Sequence, residues 1–199
     1  MIDASPDRMR ELWRNMAARY GVTIARKRDT LAMQLVAAAL EEMGVLDADA
    51  FLERYATTIG KIIWLPREPG DPTWDALSQA RLCAHEFRHV EQFDEDPSLF
   101  LRYLSSTEER ALAEAEAFAC NLEVEFQLTC QRDELDRPVP NTGSMPLPGQ
   151  LSERLRAYAV PEDHRKLCRV ALQSYAVTVG EGGMTRRPSQ DVVAFLRGP

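Results

Sequence analysis

His85-Glu86-Phe87-Arg88-His89-Val90-Glu91-Gln92 is the stretch on which the reading of this chain turns. Two of the three histidines in the chain stand here, four residues apart. Residues i and i+4 of an α-helix share a face one turn apart, so both imidazoles can reach a common point. Zinc takes histidine nitrogen at about 2.0–2.1 Å and keeps one position for water in catalytic sites. Glu86 is turned about 100° from His85 around the helix. It misses the metal but can reach the water there and serve as a general base. An H-E-x-x-H pentad on a helix therefore predicts one zinc ion per chain, with His85 and His89 as ligands and Glu86 as base.

The surrounding sequence predicts a mainly α fold with a small β-sheet. Asp71-Pro72 reads as an N-cap with proline in the first turn, and the helix it opens should run to about Phe93. Before it, Thr57-Thr58-Ile59-Gly60-Lys61-Ile62-Ile63-Trp64-Leu65 is β-branched and apolar and is closed by Pro66, which predicts a strand. Apolar periodicity predicts helices over 6–20 (Met9, Leu12, Trp13, Met16) and 29–44 (Leu31, Met33, Leu35, Val36, Ala39, Leu40, stopped by Gly44), then a helical turn over 48–55. After the pentad, Asp96-Pro97 opens a short helix to Leu104. Two overlapping capping boxes, Ser105/Glu108 and Ser106/Glu109, start a long helix to about Cys130 with the stripe Leu112, Ala115, Ala119, Leu122 and Phe126. Residues 133–149 are proline-rich and read as a loop; helices follow over 150–160, 162–179 and 190–197, the last two separated by Gly180-Glu181-Gly182-Gly183. The length of 199 residues suits one domain: a core over 57–132 flanked by N-terminal helices (1–55) and C-terminal helices (150–199).

Bulk properties exclude several classes. The net charge of −7, from 24 basic and 31 acidic residues, argues against nucleic acid as the main partner. No apolar run approaches the roughly 18 residues of a membrane-spanning helix. Met1–Arg14 is charged and lacks the apolar segment of a signal peptide. Cys83, Cys120, Cys130 and Cys168 show no disulfide framework, and Cys120 and Cys130 would lie about 15 Å apart along one helix. A cytoplasmic protein with free thiols is expected. Composition leaves the oligomeric state open.

Two histidines do not complete a catalytic zinc site, so a third ligand is needed. The pattern with a glycine turn and a third histidine is set aside, because Gln92 stands at the glycine position; Glu95, at its ligand position, stays a remote candidate. The long helix after Ser106 offers Glu108, Glu109, Glu114, Glu116, Glu123 and Glu125. Glu108 is better explained by capping. Glu114 and Glu116 each lie about 90–110° from the centre of the apolar stripe, on opposite sides, so helix geometry leaves both open. Cys83 points about 200° away from His85 and reads as a small core residue.

The combination of His85-Glu86-Phe87-Arg88-His89-Val90-Glu91-Gln92 with Glu114-Ala115-Glu116-Ala117-Phe118-Ala119 resembles the gluzincin metallopeptidases. It is closest to small bacterial and phage-associated forms with H-E-x-x-H-x-x-Q and a downstream E-x-E-A motif, over about residues 57–126. The resemblance implies a zincin-like fold, Glu114 as third ligand, and a peptide or protein substrate bound antiparallel to an edge strand formed by Thr57–Leu65. Many gluzincins carry an aspartate four residues after the ligand to orient a histidine; here that position is Phe118, and Asn121 is the substitute candidate. His164, Tyr158, Tyr175 and Tyr103 are candidates for stabilising the oxyanion. Two rivals follow from the same residues: an inactive metal-binding relative acting as an assembly module, and a metal-free helical interaction protein.

Overall fold

The computed structural model describes residues 5–42 and 47–198. Ser5 accepts a hydrogen bond from Arg8 N and caps α1 (Pro6–Tyr20), which Gly21 ends in the left-handed conformation at φ 64°. β1 (Thr23–Arg26) follows and was not foreseen: four residues running into Arg26-Lys27-Arg28 carry too little alternation to read as a strand. In α2 (Leu31–Glu42), Met33 and Ala37 are buried, while Leu31, Leu35 and Val36 are exposed. The stop expected at Gly44 lies outside the described residues. α3 (Ala48–Arg54) is capped by Asp47, whose carboxylate accepts from Ala50 N at 2.7 Å.

The strand expected over 57–65 is a hairpin, β2 (Thr57–Ile59) and β3 (Ile62–Leu65). Gly60, at φ 56°, stands first in the two-residue loop, where positive φ matches the turn to the strand twist. β3 is central: it pairs parallel with β1 and antiparallel with β2. β2 thus has its outer edge free of strand pairing among the described residues.

α4 (Ala76–Glu95) starts later than expected. Asp75 is its cap, accepting from Ser78 N at 2.8 Å, while Asp71 accepts from Thr73 N and Oγ1 in a local turn. One face of α4 (Ala80, Cys83, Ala84, Phe87, Val90) packs into a core with Met9, Leu12, Trp13 and Met16 of α1 and with Ile63 and Leu65 of β3. Each fully buried large side chain there contributes about 1.5–3 kcal/mol, which anchors α4 and fixes the rotation of its opposite face.

α5 (Leu99–Ser105) leads into α6 (Thr107–Thr129), capped by Ser106, which accepts from Glu109 N at 3.3 Å. Then come α7 (Pro148–Arg154), a 3-10 turn (Leu155–Tyr158), α8 (Glu162–Gly180) and α9 (Arg187–Arg197). The helix expected over 150–160 is therefore two pieces, ended by Ala159 at φ 54°. α6 is the axis of the helical layer and packs against α4, α5, α8 and α9. Of its expected apolar stripe, Ala115, Ala119, Leu122 and Phe126 are buried, but burial extends well beyond the stripe. Leu112 is 43% exposed, while Glu114, Asn121, Glu123 and Gln127 are buried. Buried alanines (Ala111, Ala113, Ala115, Ala117, Ala119) recur along it and permit close approach of its neighbours. Among the described residues the result is a mainly helical α+β fold with a three-stranded mixed sheet. No helix among them is long and apolar enough to cross a membrane.

Candidate metal centre

With its apolar face fixed, α4 turns His85 and His89 towards α6. The two rings lie edge to face, 4.8 Å between centroids. Glu114 of α6 faces both: His85 Nε2 is 3.4 Å from one carboxylate oxygen and His89 Nε2 is 3.5 Å from the other. All three residues are buried, and their ligand atoms lie within 4.8 Å of one another. Ligands at zinc–nitrogen and zinc–oxygen bond lengths and tetrahedral angles sit about 3.3 Å apart, so the two imidazole–carboxylate separations fit a single cation. His85, His89 and Glu114 could hold a metal ion.

The electrostatics of the trio are coupled. Burial opposes charge on His89, but the Glu114 carboxylate outweighs it and raises the pKa to about 9. Burial likewise opposes ionisation of Glu114, and His89 and His85 overcome it, holding the carboxyl well below its usual range.

Hydrogen bonds orient these ligands. Gln92 Nε2 donates to the Ala113 carbonyl of α6 at 3.0 Å, so its Oε1 is the group facing His89 Nδ1 at 2.8 Å. An oxygen there accepts the Nδ1 proton and leaves the Nε2 lone pair directed at the centre. Tyr103 OH donates to Glu114 Oε1 at 2.6 Å. His85 has no such support: its Nδ1 and the Asn121 Oδ1 are both buried without a hydrogen-bond partner among the described residues. Phe118 packs its ring against His85 instead, 5.0 Å between centroids.

Glu86 is buried beside the trio, and Thr58 Oγ1 of β2 donates to its Oε2 at 2.6 Å. A cleft of about 840 Å³ opens over His85, Glu86 and Glu114, with Tyr55, Trp74 and Tyr158 among its walls. Tyr158 meets Tyr55 edge to face at 5.6 Å, and its carbonyl accepts from Arg110 Nη1 at 2.9 Å. Burial, then the Glu114 and Glu86 carboxylates, push the Tyr158 phenol well above its usual pKa, so it remains a donor.

The other candidates are engaged elsewhere. Glu116 is taken by Arg186 at 3.3 Å, Arg88 at 3.7 Å and the Tyr175 hydroxyl. His164 Nδ1 bonds Thr107 Oγ1 at 2.8 Å, away from the cleft. Glu95 and Glu108 are exposed, and Cys83 belongs to the apolar core. Tyr103 holds a ligand rather than facing the cleft. Two contributors had no assigned role in the sequence reading. Gln92 has a signal, since i+3 from His89 is the same helix face. Thr58 has none, because its contact with Glu86 is purely tertiary. No protein-family model, curated protein or solved structure matches the chain.

Proposed function

We propose that this chain is a zinc-dependent peptidase of the gluzincin type. The observation that carries this is a buried His-His-Glu trio of which His85 and Glu114 line one open cleft together with a separately held glutamate, Glu86. Two imidazoles and a carboxylate are a donor set suited to zinc. When bound, such a cation supplies Lewis acidity, acidifying water and polarising a carbonyl.

The chain's own residues supply the rest. Thr58 engages Glu86 Oε2 and leaves Oε1 free to accept a proton from the attacking water. As the new C–O bond forms and the C–N bond breaks, Glu86 returns that proton to the departing amine nitrogen. The Tyr158 phenol donates to the carbonyl oxygen as negative charge develops on it. The free edge of β2 offers backbone groups to an extended peptide.

Peptidase assays on zinc-loaded wild type and Glu86→Gln, with zinc measured on both, test the reading. Wild type should cleave an unstructured peptide mixture. Glu86→Gln should keep its zinc and lose about 10²–10⁴-fold in rate. Equal cleavage by both proteins, or none by zinc-loaded wild type, refutes it.

A further inference from the structure

The protein carries a net charge of −7, yet the cleft wall holds five arginines: Arg54, Arg67, Arg81, Arg154 and Arg156. Four acidic side chains also line it, and each is accounted for. Glu114 belongs to the metal trio and Glu86 is held by Thr58. Glu53 pairs with Arg28 at 2.5 Å, and Glu153 with Arg169 at 3.1 Å and Arg165 at 3.6 Å. None of these three arginine partners lines the cleft, so the rim carboxylates are neutralised from outside it.

Of the five cleft arginines, only Arg81 has a carboxylate partner among the described residues. Arg81 pairs with Glu125, and Arg67 donates only to Thr73 Oγ1 and the Thr73 carbonyl. Arg54, Arg154 and Arg156 have no side-chain hydrogen bond or ion pair among the described residues. Desolvation, followed by repulsion from Arg81, lowers the pKa of Arg154. These guanidinium groups come from two walls. Arg54 ends α3 just before β2, and Arg154 and Arg156 belong to α7 and the 3-10 turn. The walls meet where Tyr55 touches Tyr158. Unpaired positive charge therefore stands on two walls of the cleft that Glu86 also lines.

We propose that this cleft selects peptides by carboxylate groups close to the bond over Glu86, which the unpaired Arg54, Arg154 and Arg156 receive. A guanidinium matches a carboxylate with two parallel hydrogen bonds, and the carboxylate can be an acidic side chain or the peptide's C-terminus. A peptide fits better than a nucleic acid. The acidic remainder of the surface repels a long polyanion, and the β2 edge complements a peptide backbone. The cleavage aspect rests on the peptidase reading; recognition of the carboxylate stands without it.

The test is binding, read by fluorescence anisotropy on full-length zinc-loaded Glu86→Gln. The probes are a labelled peptide with two glutamates, its glutamine isostere, the C-terminally amidated form of each, and a single-stranded oligonucleotide. The glutamate peptide with a free C-terminus should bind at least about tenfold more tightly than the amidated isostere at low salt, with the advantage shrinking as salt rises. Arg154→Gln/Arg156→Gln should abolish that advantage and leave the amidated isostere's affinity unchanged. Arg154→Glu/Arg156→Glu should shift preference towards a lysine peptide. Loss of affinity on amidation assigns the carboxylate to the C-terminus, and its retention assigns it to side chains. Equal binding of glutamate and glutamine peptides with no effect of amidation, no peptide binding, or tighter binding of the oligonucleotide each overturns the proposal. Selective binding together with no cleavage by wild type would leave this proposal standing and remove the peptidase reading alone.

Discussion

Lys27 should make this protein more stable as the pH rises above neutrality. The residue follows β1 and is 0% exposed. Its ammonium nitrogen donates to the Phe51 carbonyl at 3.1 Å and lies 3.4 Å from the Phe51 ring centroid. Burial removes more hydration than these contacts and the distant Glu86 charge return, so the pKa falls from 10.5 to about 7. The unfolded chain then binds more protons than the native chain between pH 7 and 10.5, and native stability climbs through that window. At 1.36 kcal/mol per pH unit the gap corresponds to about 5 kcal/mol, fully present as a penalty below pH 7 and relieved by pH 10.5. Lys27→Met removes the titrating group while keeping an unbranched apolar stem. Urea unfolding of chelator-treated wild type and variant at pH 6, 7.5, 9 and 10 isolates the effect, because the other titrating groups cancel in the difference. The variant's advantage should be several kcal/mol at pH 6 and should shrink steadily to pH 10. A difference that stays level across this range would refute the reasoning.

Three further outcomes follow from the proposed zinc peptidase centre. Gln92→Leu should weaken zinc binding about 10–100-fold in a chelator competition, because His89 loses its Nδ1 acceptor; exposed Glu95→Gln should leave it unchanged. Thr58→Val should reduce kcat while zinc content stays at one per chain, since the lost hydrogen bond positions Glu86 and touches no ligand. Tyr158→Phe should lower kcat by about 10²-fold with little change in KM, provided the phenol acts on the developing oxyanion; an unaltered kcat would remove it from the mechanism.

What could be read from the chain depended on how local its cause was. The histidine pair is a matter of helix period, and helical spacing carried it directly into three dimensions. The choice of Glu114 over Glu116 was not local. Both flank the stripe equally, and α6 is buried around most of its circumference, so its neighbours decide which carboxylate meets the histidines. Arg88, Arg186 and Tyr175 claim Glu116; Tyr103, His85 and His89 claim Glu114. The hairpin was misread although its signal was present: Gly60 interrupts the β-branched run at the point where the chain reverses. β1 was missed because its partner β3 lies almost forty residues further on. Asp71-Pro72 has the signature of the α4 cap, but the Asp71 carboxylate is spent on Thr73, and Asp75 is the one that reaches a free helical N–H.

The Gln92 amide has a mechanical consequence. One end of it bonds a ligand of α4, and the other bonds the backbone of α6 at Ala113, the residue before the third ligand. It therefore works as a dowel between the two helices that carry the His-His-Glu trio. A slip of α4 along α6 by a single residue is about 1.5 Å, enough to break this joint and to misalign imidazole and carboxylate together. Helix register and the geometry of the trio are then one variable, and under the zinc reading proposed above, metal retention would gauge whether these two helices are correctly seated.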